Sequence, residues 1–200
     1  MAILDIVKYP DPRLREPTFA VTEITDDVRE LVRDLKDTMV AADGAGIAAI
    51  QVGRLERIFL IDGRVATGDE EAEPVVFINP KVVDTSPATI RSEEGCLSFP
   101  GVFVEIGRPR RAKLQAMDLD GNTFEAEGEG LLEQLRVGAI AAPDLAHLGR
   151  QALTHHRVRA MPARRARRMK PEKLIRDGPA LRVRGIRRDR HLHHTGHLRR

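Results

Sequence analysis

The residues best equipped for chemistry lie in one stretch, Glu93-Glu94-Gly95-Cys96-Leu97-Ser98-Phe99-Pro100, which holds the only cysteine among 200 residues. A single cysteine is most often a small buried hydrophobe. Its flanks argue otherwise: two carboxylates and a flexible glycine precede the thiol, and a hydroxyl and a Pro-Gly turn signal follow it. A thiolate can hold a metal or attack as a nucleophile, but a nucleophile needs a base or a cation nearby to be ionised at neutral pH. No histidine occurs before residue 147, so the nucleophile ranks low, and metal ligand and packing residue stay open. A second stretch, Gly44-Ala45-Gly46-Ile47-Ala48-Ala49-Ile50-Gln51, surrounds one glutamine with small and apolar residues. A glutamine so placed must find hydrogen-bond partners, in the fold or in a bound ligand.

The elements that must position these stretches read as α+β. Tyr9–Arg15 is a proline-stiffened extended segment. Thr25-Asp26-Asp27 offers N-caps for a helix whose apolar face is Val28, Leu31, Val32, Leu35 and Met39, ending near Ala41-Ala42 before Asp43-Gly44-Ala45-Gly46. Ile47–Gly53 reads as a short buried strand or tight loop, and Arg57–Asp62 as a strand. Ala66–Glu73 reads as an acidic loop, Val75–Pro80 as a strand ended by a turn, and Lys81–Ile90 as a further strand interrupted at Ser-Pro. Val102–Ile106 and Ala112–Leu119 are extended, Asp120-Gly121-Asn122 is a hairpin signal, and Thr123–Ala126 returns. Glu127–Leu132 can open a second helix.

Charge divides the chain. Residues 1–132 carry 15 Lys/Arg against 25 Asp/Glu, a net of −10, whereas residues 133–200 carry 18 against 5, a net of +13. All seven histidines lie in the second part, and the last aromatic residue is Phe124. An Arg-, Ala-, Pro- and His-rich stretch without aromatic anchors is poorly equipped to build a core. The organisation expected is a domain over 1–132 and a basic, irregular tail over 133–200. One cysteine excludes an intramolecular disulfide framework and suits a reducing compartment. The first eight residues lack an uninterrupted apolar run and are not expected to be a signal peptide. No apolar run approaches the ~18 residues of a membrane span. A soluble cytoplasmic protein without membrane contact is expected.

Gly44–Gln51 fits Gly-x-Gly-x-Ala-Ala-x-Gln, and Glu94-Gly95-Cys96-Leu97-Ser98 follows about one subdomain later. In that order, after Tyr9-Pro10-Asp11-Pro12-Arg13-Leu14 and the amphipathic helix, the chain closely resembles the peptide deformylases. The likeness runs from Met1 to about Leu132 and includes Pro100-Gly101-Val102, Arg108-Pro109 and Gly130-Leu131-Leu132. It implies mostly antiparallel strands packed around helices, and hydrolysis of the N-formyl group from N-formylmethionyl peptides emerging from the ribosome. It implies Cys96 as a thiolate ligand of Fe2+, replaceable by Ni2+, Co2+ or Zn2+. Gln51 through its side-chain amide and Leu97 through its backbone N–H would hold the formyl oxygen. Gly44, Ala45 and Gly46 would present backbone to a peptide lying as an added strand, and Glu94 would steady the cysteine loop. Formamide hydrolysis at neutral pH needs an activated water, a stabilised oxyanion and a proton for the leaving amine. A divalent metal on one thiolate and two imidazoles, with its fourth position open, supplies the first.

One part of that pattern is missing. The family's His-Glu-x-x-His, which sets two imidazoles on one helical face beside a glutamate base, is due near residues 138–142. Gly138-Ala139-Ile140-Ala141-Ala142 stands there, and the motif occurs nowhere in the chain. His147 is single, His155 and His156 are adjacent, and the i, i+4 pair His193 and His197 sits at the C-terminal end among His191 and His194. Little or no activity is therefore expected. A tail read out of frame accounts for both the missing motif and the change in composition. Read one base later, the codons allowed for Ala141–Leu153 permit a His-x-x-x-His, and the nucleotide sequence decides whether they encode one. The competing expectation is a non-catalytic deformylase-like protein whose basic tail makes non-specific contact with the ribosome or RNA.

Overall fold

The computed structural model describes residues 2–129, 159–160 and 181–184. Its one long helix, α1 (Asp26–Ala41), forms where the apolar spacing predicts it. The Thr25 hydroxyl accepts from the Val28 N–H at 3.3 Å, and Asp26 and Asp27 complement the positive end of the helix dipole. Val28, Leu31, Val32, Leu35 and Met39 are buried. The helix stops where Asp43 takes φ +50° and the Gly44 N–H folds back onto the Met39 carbonyl at 2.9 Å.

Next come β1 (Gly46–Ala48), β2 (Ile58–Ile61) and β3 (Val75–Thr85), each antiparallel to its neighbour. Strand β2 is apolar at every position because both its faces are covered. Ile58 and Leu60 join the cluster under α1, while Phe59 and Ile61 join a second cluster with Phe77, Leu114 and Phe124. Phe59 stacks on Phe77 with centroids 4.4 Å apart, and Phe124 tilts against Phe77 at 5.3 Å. Then follow β4 (Thr89–Cys96), β5 (Phe99–Pro109), β6 (Arg111–Met117) and β7 (Thr123–Glu129). Two short pieces, β8 (Arg159–Ala160) and β9 (Arg182–Arg184), complete the described strands. One sheet runs β1-β2-β3-β6-β7-β9 and the other β4-β5-β8. The architecture is α+β, as the sequence indicates.

Several local expectations need correction. Pro12–Arg15 is a 3-10 turn rather than extended chain, because the Asp11 carboxylate accepts from the Arg13 N–H at 2.9 Å and Pro12 opens the turn. Ile47–Gly53, read as a short buried strand or tight loop, holds both: the end of β1 and a 3-10 turn over Ala49–Val52 closed by Gly53 at φ +77°. A short helix, α2 (Gly63–Thr67), precedes the acidic loop, capped by Asp62 and ended by Gly68 in the left-handed conformation. Asn79-Pro80 does not end its strand. A bulge between Ile78 and Lys81, with Asn79 at φ +52°, absorbs the proline's missing donor, and β3 continues to Thr85.

Pro100-Gly101 is likewise no chain reversal. Cys96 faces Phe99 and Gly95 faces Phe103, so Pro100-Gly101-Val102 bulges out of β5. Glu127–Glu129 extend β7 rather than opening a helix, and the remainder of that predicted helix lies outside the described residues. So does most of the predicted irregular tail. Its described pieces are extended: β8 pairs with β5, and β9 pairs with β7.

Candidate functional site

The hairpin of β4 and β5 brings Cys96, Leu97 and Ser98 to its tip, and the 3-10 turn after β1 brings Gln51 against them. Gln51 is fully buried. Its Oε1 accepts from the Ala48 N–H at 2.9 Å, which orients the carboxamide so that Nε2 points toward Cys96 Sγ at 3.7 Å and Ser98 Oγ at 3.5 Å. The Ser98 N–H approaches Cys96 Sγ at 3.4 Å. Burial pushes the Cys96 thiol up, and hydrogen bonds from Ser98 and Phe99 with the nearby Lys8 charge offset only part of that rise. A protonated thiol is a poor nucleophile.

The glycine loop meets the same tip. A Cβ on the buried Gly44 would lie 2.9 Å from Leu97 Cδ1, so glycine is what lets the two stretches touch. Ala45 is fastened through its carbonyl to the Asp62 N–H at 3.0 Å. Gly46 opens β1, the end strand of its sheet, so among the described residues the outer edge of β1 carries no further strand. An unpaired edge of small residues is suited to receive an extended peptide. Glu94 holds Arg108, which is almost completely buried.

Among the described residues no group of three His, Cys, Asp or Glu side chains converges on one point. All seven histidines fall outside those residues. Cys96 supplies one soft donor, and the Gln51 carboxamide is already committed to Ala48. The described residues do not by themselves fit a metal.

Sequence reasoning missed two contributors. Lys8 donates from Nζ to the Leu97 carbonyl at 2.7 Å, and the Tyr9 N–H donates to the Ser98 carbonyl at 2.9 Å. No local signal announces contacts across about ninety residues. Arg108 was visible as Arg-Pro, but its pairing with Glu94 depends on the strand register.

This fold, a long helix beside a six-stranded antiparallel sheet with a cysteine hairpin against a glycine-rich loop, is similar to those of solved peptide deformylases. The structure from Thermotoga maritima superposes with a TM-score of 0.60 at 36% identity, over 68% of this chain and 87% of that one. The structure from Ehrlichia chaffeensis superposes at 0.64 and 29%, over 87% and 100%. In sequence, the peptide deformylase of Maricaulis maris is 48% identical over 131 residues, 66% of this chain and 74% of that protein. That of Alkalilimnicola ehrlichii is 38% identical over 179 residues, covering 89% and 94%. The profile of the family described as Polypeptide deformylase matches residues 3–136. The chain belongs to the polypeptide deformylase family, whose members imply a catalytic metal. Among the described residues no helix is long and apolar enough to cross a membrane.

Proposed function

We propose that this chain carries the substrate-holding half of a deformylase site, binding N-formylmethionyl peptides at the ribosome in the cytoplasm with little or no turnover. The observation that carries this reading is the convergence of Gln51, Cys96, Leu97 and Gly44 at the tip of the β4–β5 hairpin. The peptide backbone lies along the open edge of β1 at Gly44, Ala45 and Gly46. Gln51 Nε2 and the Leu97 N–H hold the formyl oxygen, and Cys96 is what the chain retains of the family's metal-ligand set. The Ala48 N–H keeps the carboxamide in its donating orientation without reorganisation at the moment of binding. Glu94 and Arg108 brace the hairpin that carries Cys96 and Leu97.

Low turnover follows from the sequence. No His-Glu-x-x-His is present anywhere in the chain: residues 138–142 hold no histidine, and the i, i+4 pair His193 and His197 has His194 where the motif needs its glutamate base. Incubation with a formyl-Met tripeptide, with parallel metal analysis, tests this. The expected outcome is saturable binding with no stoichiometric metal and no free amine released. Robust turnover with bound Fe2+, Ni2+, Co2+ or Zn2+ would overturn the inactivity.

The charge division favours a second reading, in which the +13 of residues 133–200 contacts ribosomal or other RNA. Without aromatics for stacking, such contact is non-specific and steeply salt-dependent. RNA affinity of the full chain that is insensitive to salt between 50 and 200 mM would remove its basis.

A further inference from the structure

The two stretches that make the site are joined only loosely by their own side chains. Gln51 Nε2 lies 3.5 Å from Ser98 Oγ and 3.7 Å from Cys96 Sγ, at the long end for hydrogen bonds. The short bond of Gln51 is spent within its own turn, on Ala48. The short connections between the two stretches run instead through residues 7–9. The Val7 N–H donates to the Gln51 carbonyl at 2.7 Å and the Tyr9 N–H to the Ser98 carbonyl at 2.9 Å. Two residues of chain span at most about 7 Å, so this pair of bonds is a tether of limited length between the turn holding Gln51 and the loop holding Leu97.

Both ends of the tether are anchored. Val7 is buried in the cluster that includes Ile50 and Phe99. The Tyr9 ring stacks on Phe99 at 4.8 Å and 21°, with the Arg15 guanidinium over its face at 5.9 Å. Between them, Lys8 places its ammonium 2.7 Å from the Leu97 carbonyl. A charged donor on a backbone acceptor is among the stronger hydrogen bonds, and this one falls on the residue whose side chain touches Gly44 and whose N–H faces the formyl oxygen in the proposed function.

We propose that Val7-Lys8-Tyr9 is the clamp that sets the spacing between Gln51 and Leu97, and that Lys8 is a positioning residue for the Leu97 peptide, acting on recognition of the formyl group without touching it. The formyl part of this inference rests on the proposed function; the clamp itself does not.

The test uses the full chain with Lys8→Met and Lys8→Arg. Three quantities are read: amide hydrogen exchange at Tyr9 and Ser98, the thermal midpoint, and the affinity ratio between formyl-Met-Ala-Ser and unformylated Met-Ala-Ser. Lys8→Met is expected to speed exchange at Tyr9 and Ser98 roughly tenfold and to lower the affinity ratio by roughly three- to tenfold, the worth of one hydrogen bond. The midpoint should move by no more than about 2 °C, and Lys8→Arg should restore both other readouts. Unchanged exchange in Lys8→Met overturns the clamp. Changes that track a fall in midpoint and are not rescued by Lys8→Arg also overturn it, since a general staple behaves that way. If the parent chain shows no preference for the formylated peptide, the proposed function fails, and the clamp stands or falls on the exchange and its rescue.

Discussion

The Arg108 guanidinium grips the Glu94 carboxylate with two nitrogens, Nε on Oε1 and Nη2 on Oε2. Glu94 pairs with position 104 across the hairpin and Arg108 lies four residues further along β5, an even spacing that lets the two long side chains meet along one face. The pair is almost completely withdrawn from water, and Arg108 Nη1 is buried with no hydrogen-bond partner among the described residues. Such a pair costs much to desolvate, but a bidentate fork repays it in fixed geometry. Here it braces the strands that carry the Cys96 loop.

Glu94→Ala leaves a buried cation without this partner and is expected to cost about 3–5 kcal/mol, whereas Glu94→Gln keeps one acceptor and costs less. The double substitution Glu94→Leu with Arg108→Met should recover much of the loss, because it removes both buried charges. Urea unfolding midpoints should fall in the order wild type, double variant, Glu94→Gln, Glu94→Ala. An Ala variant as stable as wild type would contradict the bracing role.

Two glycines should separate stability from binding. At Gly44 an added Cβ meets the flexible end of Leu97 at 2.9 Å, so Leu97 can turn aside and the thermal midpoint should fall little. The same displacement moves the residue proposed to hold the formyl group, so affinity for a formyl-Met peptide should drop several-fold. At Gly63 the added Cβ would lie 2.1 Å from the Ala72 carbonyl oxygen, which is backbone and cannot turn aside. Gly63→Ala is expected to destabilise by about 2 kcal/mol or more. Calorimetry on both variants checks the contrast.

Gln51 invites a pair of substitutions. Gln51→Leu leaves the buried Ala48 N–H without its acceptor, at a cost of roughly 1–3 kcal/mol. Gln51→Glu keeps an acceptor for Ala48 but presents an oxygen where the amide nitrogen stood. Stability should therefore fall in both, in Gln51→Leu through the unpaired N–H and in Gln51→Glu through a buried carboxyl that destabilises most above its pKa, and formyl-peptide binding should fall in both. Denaturation and titration calorimetry read the two effects apart.

Asp62 gives the fold an acid limit. Burial pushes its carboxyl up, but hydrogen bonds from the Arg64 guanidinium and N–H outweigh this and hold it below the ordinary carboxylate range. A group whose folded pKa is depressed contributes stability that is present above its unfolded value, near 3.8, and that is lost as pH falls through the folded value. Asp62→Asn should therefore lower the urea midpoint at pH 6 and narrow the gap to wild type near pH 3. A gap that is constant with pH would show that the pair contributes nothing ionic.

What could be read before folding was local. The 3.6-residue spacing from Val28 to Met39 defines α1, Asp120-Gly121-Asn122 defines the β6–β7 reversal, and two short motifs carry the resemblance to the family. Local reading failed where tertiary context overrode it. Asn79-Pro80 and Pro100-Gly101 signal turns, yet each is a bulge within a longer strand, because the neighbouring strands continue past it and only a register shift is needed. The helix α2 escaped notice because five residues are too few for periodicity, and only its Asp62 cap and Gly68 stop mark it.

Motif spacing and residue chemistry are written along the chain, so Cys96, Gln51, Leu97 and the glycine loop stand out in the unfolded sequence. The absence of a His-Glu-x-x-His beside them is equally a fact of the linear chain. How these residues are held is a matter of packing between distant segments. Lys8 reaches Leu97 across 89 positions, and Val7 and Tyr9 tie Gln51 to Ser98. Such contacts depend on how the hairpin, the 3-10 turn and the chain's first residues pack together, and no local pattern of polarity encodes a distance between segments so far apart.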